Sequence, residues 1–390
     1  MTAVSLADDN TLAVTRIPGV FCPDALVAEA RARRAEVQRV GRRRSAALAS
    51  AVVLVWVAAV TATGQWVRVG DNAASAVTMV FGSFVAGSTP QGGGAVAFPV
   101  FTKLLGVSAA DAATFSLCIQ AIGMTSAALV IAFTGRAVDR AALRLTIPSA
   151  IAGYGAGRLV FAVVTLPSAY TKIVFTLVVA TAGSATVLSR RRPVVEQLRW
   201  ASIDHPGMRA IVVAVAATGG VASSLFGSGA DVAVYLLLTI VLGVRPSIGV
   251  ATSVITMASV SVVGLATSLA TGELDPVALA GETDVFGMWL AAVPVVVAGA
   301  PLGSWFAGRA APSVLAGFIA ALAALELAST GFFLDELRTD PAVAAFGLAG
   351  VGTTFLFVRG LLRLRDRMAV QRSPQAPSIR RLDLELGVTS

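Results

Sequence analysis

The chain is short of the residues on which soluble enzymes depend. Asp, Glu, Lys and Arg together make up 13% of its 390 residues, about half the share found in soluble domains. The single histidine, His205, excludes a histidine-based metal centre or catalytic triad. The two cysteines, Cys22 and Cys118, lie too far apart for a disulfide framework or a metal-ligand cluster. No Gly-x4-Gly-Lys-Ser/Thr loop is present, which argues against ATP drive within this chain. No nucleophile–base pair stands out, so an enzyme is not expected, nor any cofactor or metal. No short basic–apolar–small leader precedes the first apolar run, which is therefore expected to remain as a true span.

Apolar sequence is plentiful instead. Hydrophobic residues are 56% of the chain, which defines an all-α polytopic membrane protein whose surroundings are the lipid bilayer. The net charge of +8 does not point to nucleic acid, because the arginines sit beside apolar segments, where cytoplasmic loops carry them. Residues 1–45 read as a basic arm, either a helix on the inner membrane surface or a solvated topogenic arm. A first span and outer loop occupy 46–73, and repeat 1 covers 74–189. A cytoplasmic linker fills 190–209, repeat 2 runs over 210–334, a last span over 335–368, and a polar tail over 369–390.

Two apolar runs are interrupted, at Ser88-Thr89-Pro90-Gln91-Gly92-Gly93-Gly94 and at Phe226-Gly227-Ser228-Gly229-Ala230-Asp231. Glycine and proline break a helix and leave backbone N–H and C=O groups unpaired. At membrane depth such a break must face protein or a water-filled cavity. Gly82 and Gly219 lie 137 residues apart, and the same offset pairs Gly92 with Gly229, Phe98 with Tyr235, Gly106-Val107 with Gly243-Val244, and Ser116 with Ser253. Later, Gly153-x-x-x-Gly157 matches Gly299-x-x-x-Gly303 at an offset of 146, which places nine extra residues in the loop Thr271–Asp284. The chain therefore reads as a duplication.

Charge decides the topology. Arg42-Arg43-Arg44 place the start of the first span inside. The first broken segment, Ala74–Gly87 and Ala95–Gly106, has arms too short to cross a ~30 Å hydrocarbon core untilted. If it crossed once, the loops with Arg136, Arg140, Arg144 and with Arg190-Arg191-Arg192, Arg199, Arg209 would lie outside. If it returns as a hairpin, both lie inside, as the positive-inside rule requires. Spans follow near Ala109–Phe133, Leu143–Leu166 and Ala169–Ser189. The second half repeats the pattern with a hairpin, Ala210–Leu225 and Val232–Gly243, then spans near Ser247–Ala270, Val285–Ala307, Val314–Phe333 and Val343–Leu361. An odd number of crossings between equivalent points makes the repeats inverted, each a broken hairpin followed by spanning helices, with both termini cytoplasmic.

A helix that begins at mid-membrane offers free N–H groups and a positive dipole end, which suits an anion. Substrate-site candidates are Gln91, Gly92, Gly93, Gly94, Ser228 and Gly229 in the breaks, and Ser116, Gln120, Thr252 and Ser253 on the following spans. Thr252, Ser253 and Thr256 share a helical face by spacing, as do Ser116 and Gln120. The plainer reading is that the glycines permit close packing and the hydroxyls make interhelical hydrogen bonds. Asp231, at the position of Gly94, is expected to cap the second short helix; the alternative is that it titrates and couples transport. Glu326 and Arg158, within apolar spans, belong to a pathway or to a partner pair. Cys118 reads as a packed residue. The two Gly-x-x-x-Gly pairs permit close packing within the chain or in a homodimer.

The glycine-rich break followed by Ala97-Phe98-Pro99-Val100, Gly106-Val107 and the Ala-Thr-x-Ser span resembles the sulfite exporter (TauE/SafE) family. Gly243-Val244 with Ala251-Thr252-Ser253 and the segment Val-Ala-Gly299-Ala-Pro-Leu-Gly303 are similar to it as well, so the resemblance covers roughly Val77 to Phe333. It implies a cytoplasmic-membrane permease exporting sulfite or organosulfonates such as sulfoacetate, with a small sulfur oxyanion as partner. The alternatives are a channel-like anion pore or a non-transporting membrane scaffold.

Overall fold

The computed structural model of the chain describes residues 24–190, 206–277 and 283–371. Cys22, His205, the linker arginines Arg191, Arg192 and Arg199, residues 1–23 of the basic arm and the tail from 372 lie outside the described residues. In chain order the helices are α1 (Asp24–Thr63), α2 (Trp66–Asp71), α3 (Ala73–Ser88), α4 (Gly94–Pro99), α5 (Ala109–Phe133), α6 (Arg140–Val163) and α7 (Ser168–Arg190). They continue as α8 (Pro206–Phe226), α9 (Ala230–Leu236), α10 (Pro246–Ala270), α11 (Val285–Ala307), α12 (Pro312–Phe333), α13 (Glu336–Thr339) and α14 (Pro341–Gln371). Among the described residues, eight of them (α1, α5, α7, α8, α10, α11, α12 and α14) are long and apolar enough to cross a bilayer. Helix α6 matches them in length, its apolar character diluted by Arg140, Arg144 and Arg158. Helix α8 starts four residues earlier than the sequence suggests and is 21 residues long, so the first arm of the second hairpin is not short.

Helix ends follow local chemistry. Pro246 and Pro312 open α10 and α12 in the first turn, where proline's missing N–H costs nothing. Ser108, Asp139 and Asp284 cap α5, α6 and α11 by accepting from Asp111, Ala142 and Gly287 backbone N–H groups.

The duplication is visible in three dimensions. A π-helical turn follows each short helix, at Val100–Leu104 and at Leu237–Val241. Val107 N donates to Phe101 O, and Val244 N donates to Leu238 O, both at 2.9 Å. Gly106 and Gly243 each have φ +68. Helices α5 and α10 each have 25 residues and start at equivalent positions. Proline is not the cause of the π turns, since Pro99 precedes the first and Leu236 the second. The extra residues of the second half lie in the α10–α11 loop, as expected.

Each broken segment is a hairpin, and contacts between its arms show the reversal. A β-carbon on Gly93 would lie 3.3 Å from that of Ala86, and one on Gly82 would lie 3.6 Å from that of Val96. In the second hairpin, Ala230 N donates to Ser223 Oγ at 3.0 Å, and a β-carbon on Gly219 would lie 2.8 Å from that of Ala233. The second arm thus runs back along the first in both halves.

The hairpins exchange partners between halves, α3 lying along α11 and α8 along α6. Gly87, Gly299 and Gly303 make the first contact, where added side chains would meet Ala300, Ser83 and Phe84. Gly153, Gly157 and Gly220 make the second, against Ala217, Ser224 and Ala150. Both Gly-x-x-x-Gly pairs therefore serve packing within the chain.

Helices α5 and α10 run antiparallel. Arg136, just past the end of α5, donates to Ser247 O at the start of α10, while Leu117 near the start of α5 packs on Gly264 near the end of α10. Helix α6 runs parallel to α10, joined by Thr146–Thr256 and Tyr154–Thr267 hydrogen bonds, both 2.9 Å. Helix α5 runs parallel to α11, with Trp289 Nε1 donating to Cys118 O at 3.2 Å. This register is the one expected of two repeats inverted relative to one another. Helices α1 and α14 stand at the periphery, their apolar faces exposed.

Candidate functional site

The two breaks meet. Ser228 Oγ donates to Gln91 O at 3.2 Å, and a β-carbon on Gly94 would lie 2.9 Å from that of Ser228. Gln120 on α5 lies beside both tips: its Nε2 donates to Ser116 O (3.0 Å) and to Gly227 O (2.6 Å). Gln91, Ser116, Gln120, Ser228 and Asp231 are each no more than 2% exposed. The structure thus brings together Gln91, Gly92, Gly94, Ser116, Gln120, Ser228 and Asp231 from opposite ends of the duplication.

The helix starts differ in how their N–H groups are used. In the second hairpin, Asp231 Oδ1 accepts from Gly229 N (3.1 Å) and Val232 N (3.0 Å). Ser228 Oγ lies 3.2 Å from it as well, so its one proton is shared between Gln91 O and Asp231 Oδ1. Asp231 therefore caps α9 as its position suggests. In the first hairpin, Thr89 Oγ1 accepts from Gln91 N at 3.3 Å. Residues 90–93 form a hydrogen-bonded turn, but none of the Gly92, Gly93 and Gly94 N–H groups makes a close backbone hydrogen bond among the described residues. Buried donors held this weakly are uncommon, since a buried backbone N–H nearly always has a good partner. Gln91 Oε1, Gln120 Oε1 and Ser116 Oγ are likewise buried without partners.

Within the glycine triplet the left-handed residue is Gly92, with φ +68. Gly93 has φ −66, and its missing side chain would point at Ala86 and Met79 rather than at the other tip. Gly94 is the glycine whose missing side chain faces Ser228 and Gln120. Gly229, with φ +150, packs on Ala222 of its own hairpin.

Other singled-out residues lie elsewhere. Thr252 accepts from Asp139 N at 2.9 Å, and Thr256 bonds Thr146, so both tie α10 to α6. Ser253 Oγ donates within its own helix to Val250 O. Arg158 is not deep in the core: it pairs with Glu273, both side chains one-third exposed. Cys118 is buried with its backbone bonded to Trp289.

Glu326 has a partner that the sequence reading passed over. Lys103, in the π turn after α4, places its Nζ 2.7 Å from Glu326 Oε1, 2.9 Å from Ser329 Oγ and 2.8 Å from Thr330 Oγ1. Thr176 Oγ1 on α7 donates to the same carboxylate oxygen at 2.7 Å. Both charged side chains are 2% exposed. The signal was a lysine in an apolar arm together with a glutamate in an apolar span. The pair ties the returning arm of the first hairpin to α7 and α12.

Between this pair and the tips lies an aromatic cluster of Phe98 on α4, Phe175 on α7 and Phe226 at the end of α8. Their ring centroids lie 4.8 to 6.4 Å apart. At the α2 end, Arg68 holds Asp284 through bonds of 2.7 and 2.5 Å. Burial pushes the Asp284 carboxyl up, but Arg68, Gly287 N and Asn72 outweigh it and hold it below its ordinary range.

Two facing hairpins whose tips enclose weakly held donors, set in a bundle of apolar helices, define a multi-pass membrane protein of the transporter class. The chain belongs to the sulfite exporter TauE/SafE family, whose model matches residues 74–329. That match spans both hairpins and α3 to α12. No curated protein and no solved structure matches the chain.

Proposed function

We propose that the chain is a secondary carrier exporting small sulfur oxyanions, sulfite or an organosulfonate such as sulfoacetate, across the cytoplasmic membrane. Its termini lie in the cytoplasm, and the hairpin crossing is the anion site, reached alternately from each side. The observation that carries this reading is the set of buried N–H groups at Gly92, Gly93 and Gly94, none of which makes a close backbone hydrogen bond. Backbone donors and the positive end of a helix suit an oxyanion and require no fixed cation. Ser116, Gln120 and Ser228 lie beside the same tips, while Gln91 contributes its backbone carbonyl there and turns its amide toward Val179 O on α7 and Ile319 O on α12. Gly93 contributes backbone alone, Gly229 the turn beneath Asp231, and Thr252 and Ser253 support the neighbouring helix. Burial of these side chains supports reading the crossing as an occluded state of that cycle. Membership of the sulfite exporter family supports the substrate class.

The test is flux into proteoliposomes across a panel of sulfite, sulfate, sulfoacetate and thiosulfate. Saturable transport of sulfite or sulfoacetate with counterflow is the expected result. Linear, non-saturating conductance would instead identify a channel, and no flux of any anion would overturn the carrier.

A further inference from the structure

The two oxygens of the Asp231 carboxyl have different surroundings. Oδ1 accepts from Gly229 N and Val232 N and shares the Ser228 hydroxyl proton with Gln91 O. Oδ2 has only a 3.5 Å approach from Ser228 Oγ, which lies closer to Oδ1. Oδ2 faces Gly92 and Gln120: a β-carbon placed on Gly92 would lie 2.5 Å from Asp231 Oδ2 and 2.7 Å from Gln120 Oε1. Two acceptor oxygens therefore lie against the same face of Gly92, and Gln120 Oε1 has no donor among the described residues. The orientation of the Gln120 amide is fixed, because its Nε2 must serve the carbonyls of Ser116 and Gly227. Its Oε1 can only turn toward Asp231.

Asp231 is 0% exposed and takes part in none of the ion pairs among the described residues. An isolated buried carboxylate is costly and takes a cation or a proton instead. Charged and titratable groups on the elements around it are few. Helix α10 has none, α8 has Arg209, α7 has Tyr170, Lys172 and Arg190, α5 has Asp111 and Cys118, and α9 itself has Tyr235. The arm after Gly92 has none before Lys103, which is held by Glu326. A metal ion would need several strong ligands around it, whereas Asp231 belongs to no group of three histidine, cysteine or carboxylate side chains among the described residues. A proton needs one donor and one acceptor.

We propose that Asp231 and Gln120 form a proton site, with Asp231 Oδ2 holding a dissociable proton donated to Gln120 Oε1. The proton bridges the start of α9 to α5 beneath the Gly92 tip. When the tips part, water reaches Oδ2, takes the proton, and leaves a solvated carboxylate. Protonation is thereby tied to closure of the crossing, and this inference rests on the anion-carrier reading of the same crossing.

Infrared difference spectroscopy of the purified chain reads the proton directly. The carboxylic-acid C=O band of Asp231 is expected in wild type at neutral pH, lost on raising the pH, and absent from Asp231→Asn. Gln120→Leu, which removes the acceptor, should shift that band while leaving it present. Transport supplies the second arm: with one proton per anion and no membrane potential, accumulation should change about tenfold per pH unit of imposed gradient. Asp231→Asn should abolish that response, its amide standing permanently in place of the protonated acid. A missing acid band in folded wild type, or coupling to Na+ with no response to pH, overturns the proton site. Anion flux that ignores the pH gradient refutes the coupling alone. Absence of all flux refutes the carrier and leaves the infrared band to decide the proton.

Discussion

Gly94 and Gly92 show how much one hydrogen in place of a side chain decides. Gly94 has its bare face toward Ser228 and Gln120, where an anion on the glycine N–H groups would sit. Gly94→Ala should weaken anion binding about tenfold or more, by blocking one or two charge-assisted hydrogen bonds. Its fold should survive with a loss of about 1–3 kcal/mol as Ser228 shifts. Binding titration beside thermal unfolding tests this, and a folded variant that binds as wild type would refute the cradle. Gly155→Ala, whose side chain meets nothing within 4 Å, is the control and should be nearly silent in both. Gly92→Ala should destabilise by at least about 1–2 kcal/mol, because its φ of +68 is unfavourable for any L side chain. The sequence identified the triplet as a break but not which glycine turns left-handed, since any of the three can. It also marked Gln120 and Asp231 as polar groups at depth. It could not show that they converge, because residues 111 positions apart meet only through the crossing of the hairpins.

At the scale of elements, the returning arm of the first hairpin is tied to its neighbours by Lys103 and Glu326. Breaking a buried pair leaves one charge uncompensated, at a cost of about 3–5 kcal/mol. Lys103→Met should therefore destabilise by that amount in a thermal unfolding assay, and Lys103→Met with Glu326→Leu should recover most of it. If the double variant is no better than the single one, the pair is not what holds the arm. The equivalent of Lys103 in the second half is Ile240, so no such tie exists there, and the asymmetry was invisible until the fold placed Glu326 opposite. The Arg68–Asp284 bridge at the other end of α3 makes a pH prediction. A carboxyl held below its ordinary value in the fold contributes stability above about pH 4, which is lost as pH falls through its lowered value. Arg68→Met should flatten that acid limb of the unfolding curve. An unchanged limb would assign it to other carboxylates.

For the whole molecule, the pairing of α3 with α11 and of α8 with α6 makes two halves mutually dependent, each hairpin resting on the other repeat. Most of this was legible in the chain. The 137-residue offset recurs in the π turns and in the glycines that end them. The paired Gly-x-x-x-Gly motifs mark the helices that receive the hairpins. The π turns themselves and the true length of α8 were not legible, because both depend on tertiary packing rather than on a local motif. The arginine distribution makes sidedness testable: a cysteine at Ala141 should react with an impermeant reagent only from the cytoplasm, and one at Asp275 only from outside. The opposite labelling at either position would reverse the proposed topology. The central claim, that the hairpin crossing holds the anion and opens to each side in turn, is tested most directly at Ser228. In a Cys22→Ser background with Cys118 buried, Ser228→Cys should be labelled by an impermeant reagent from either face, and a transported anion should slow labelling on both. Labelling that no anion slows at concentrations saturating transport would contradict the account.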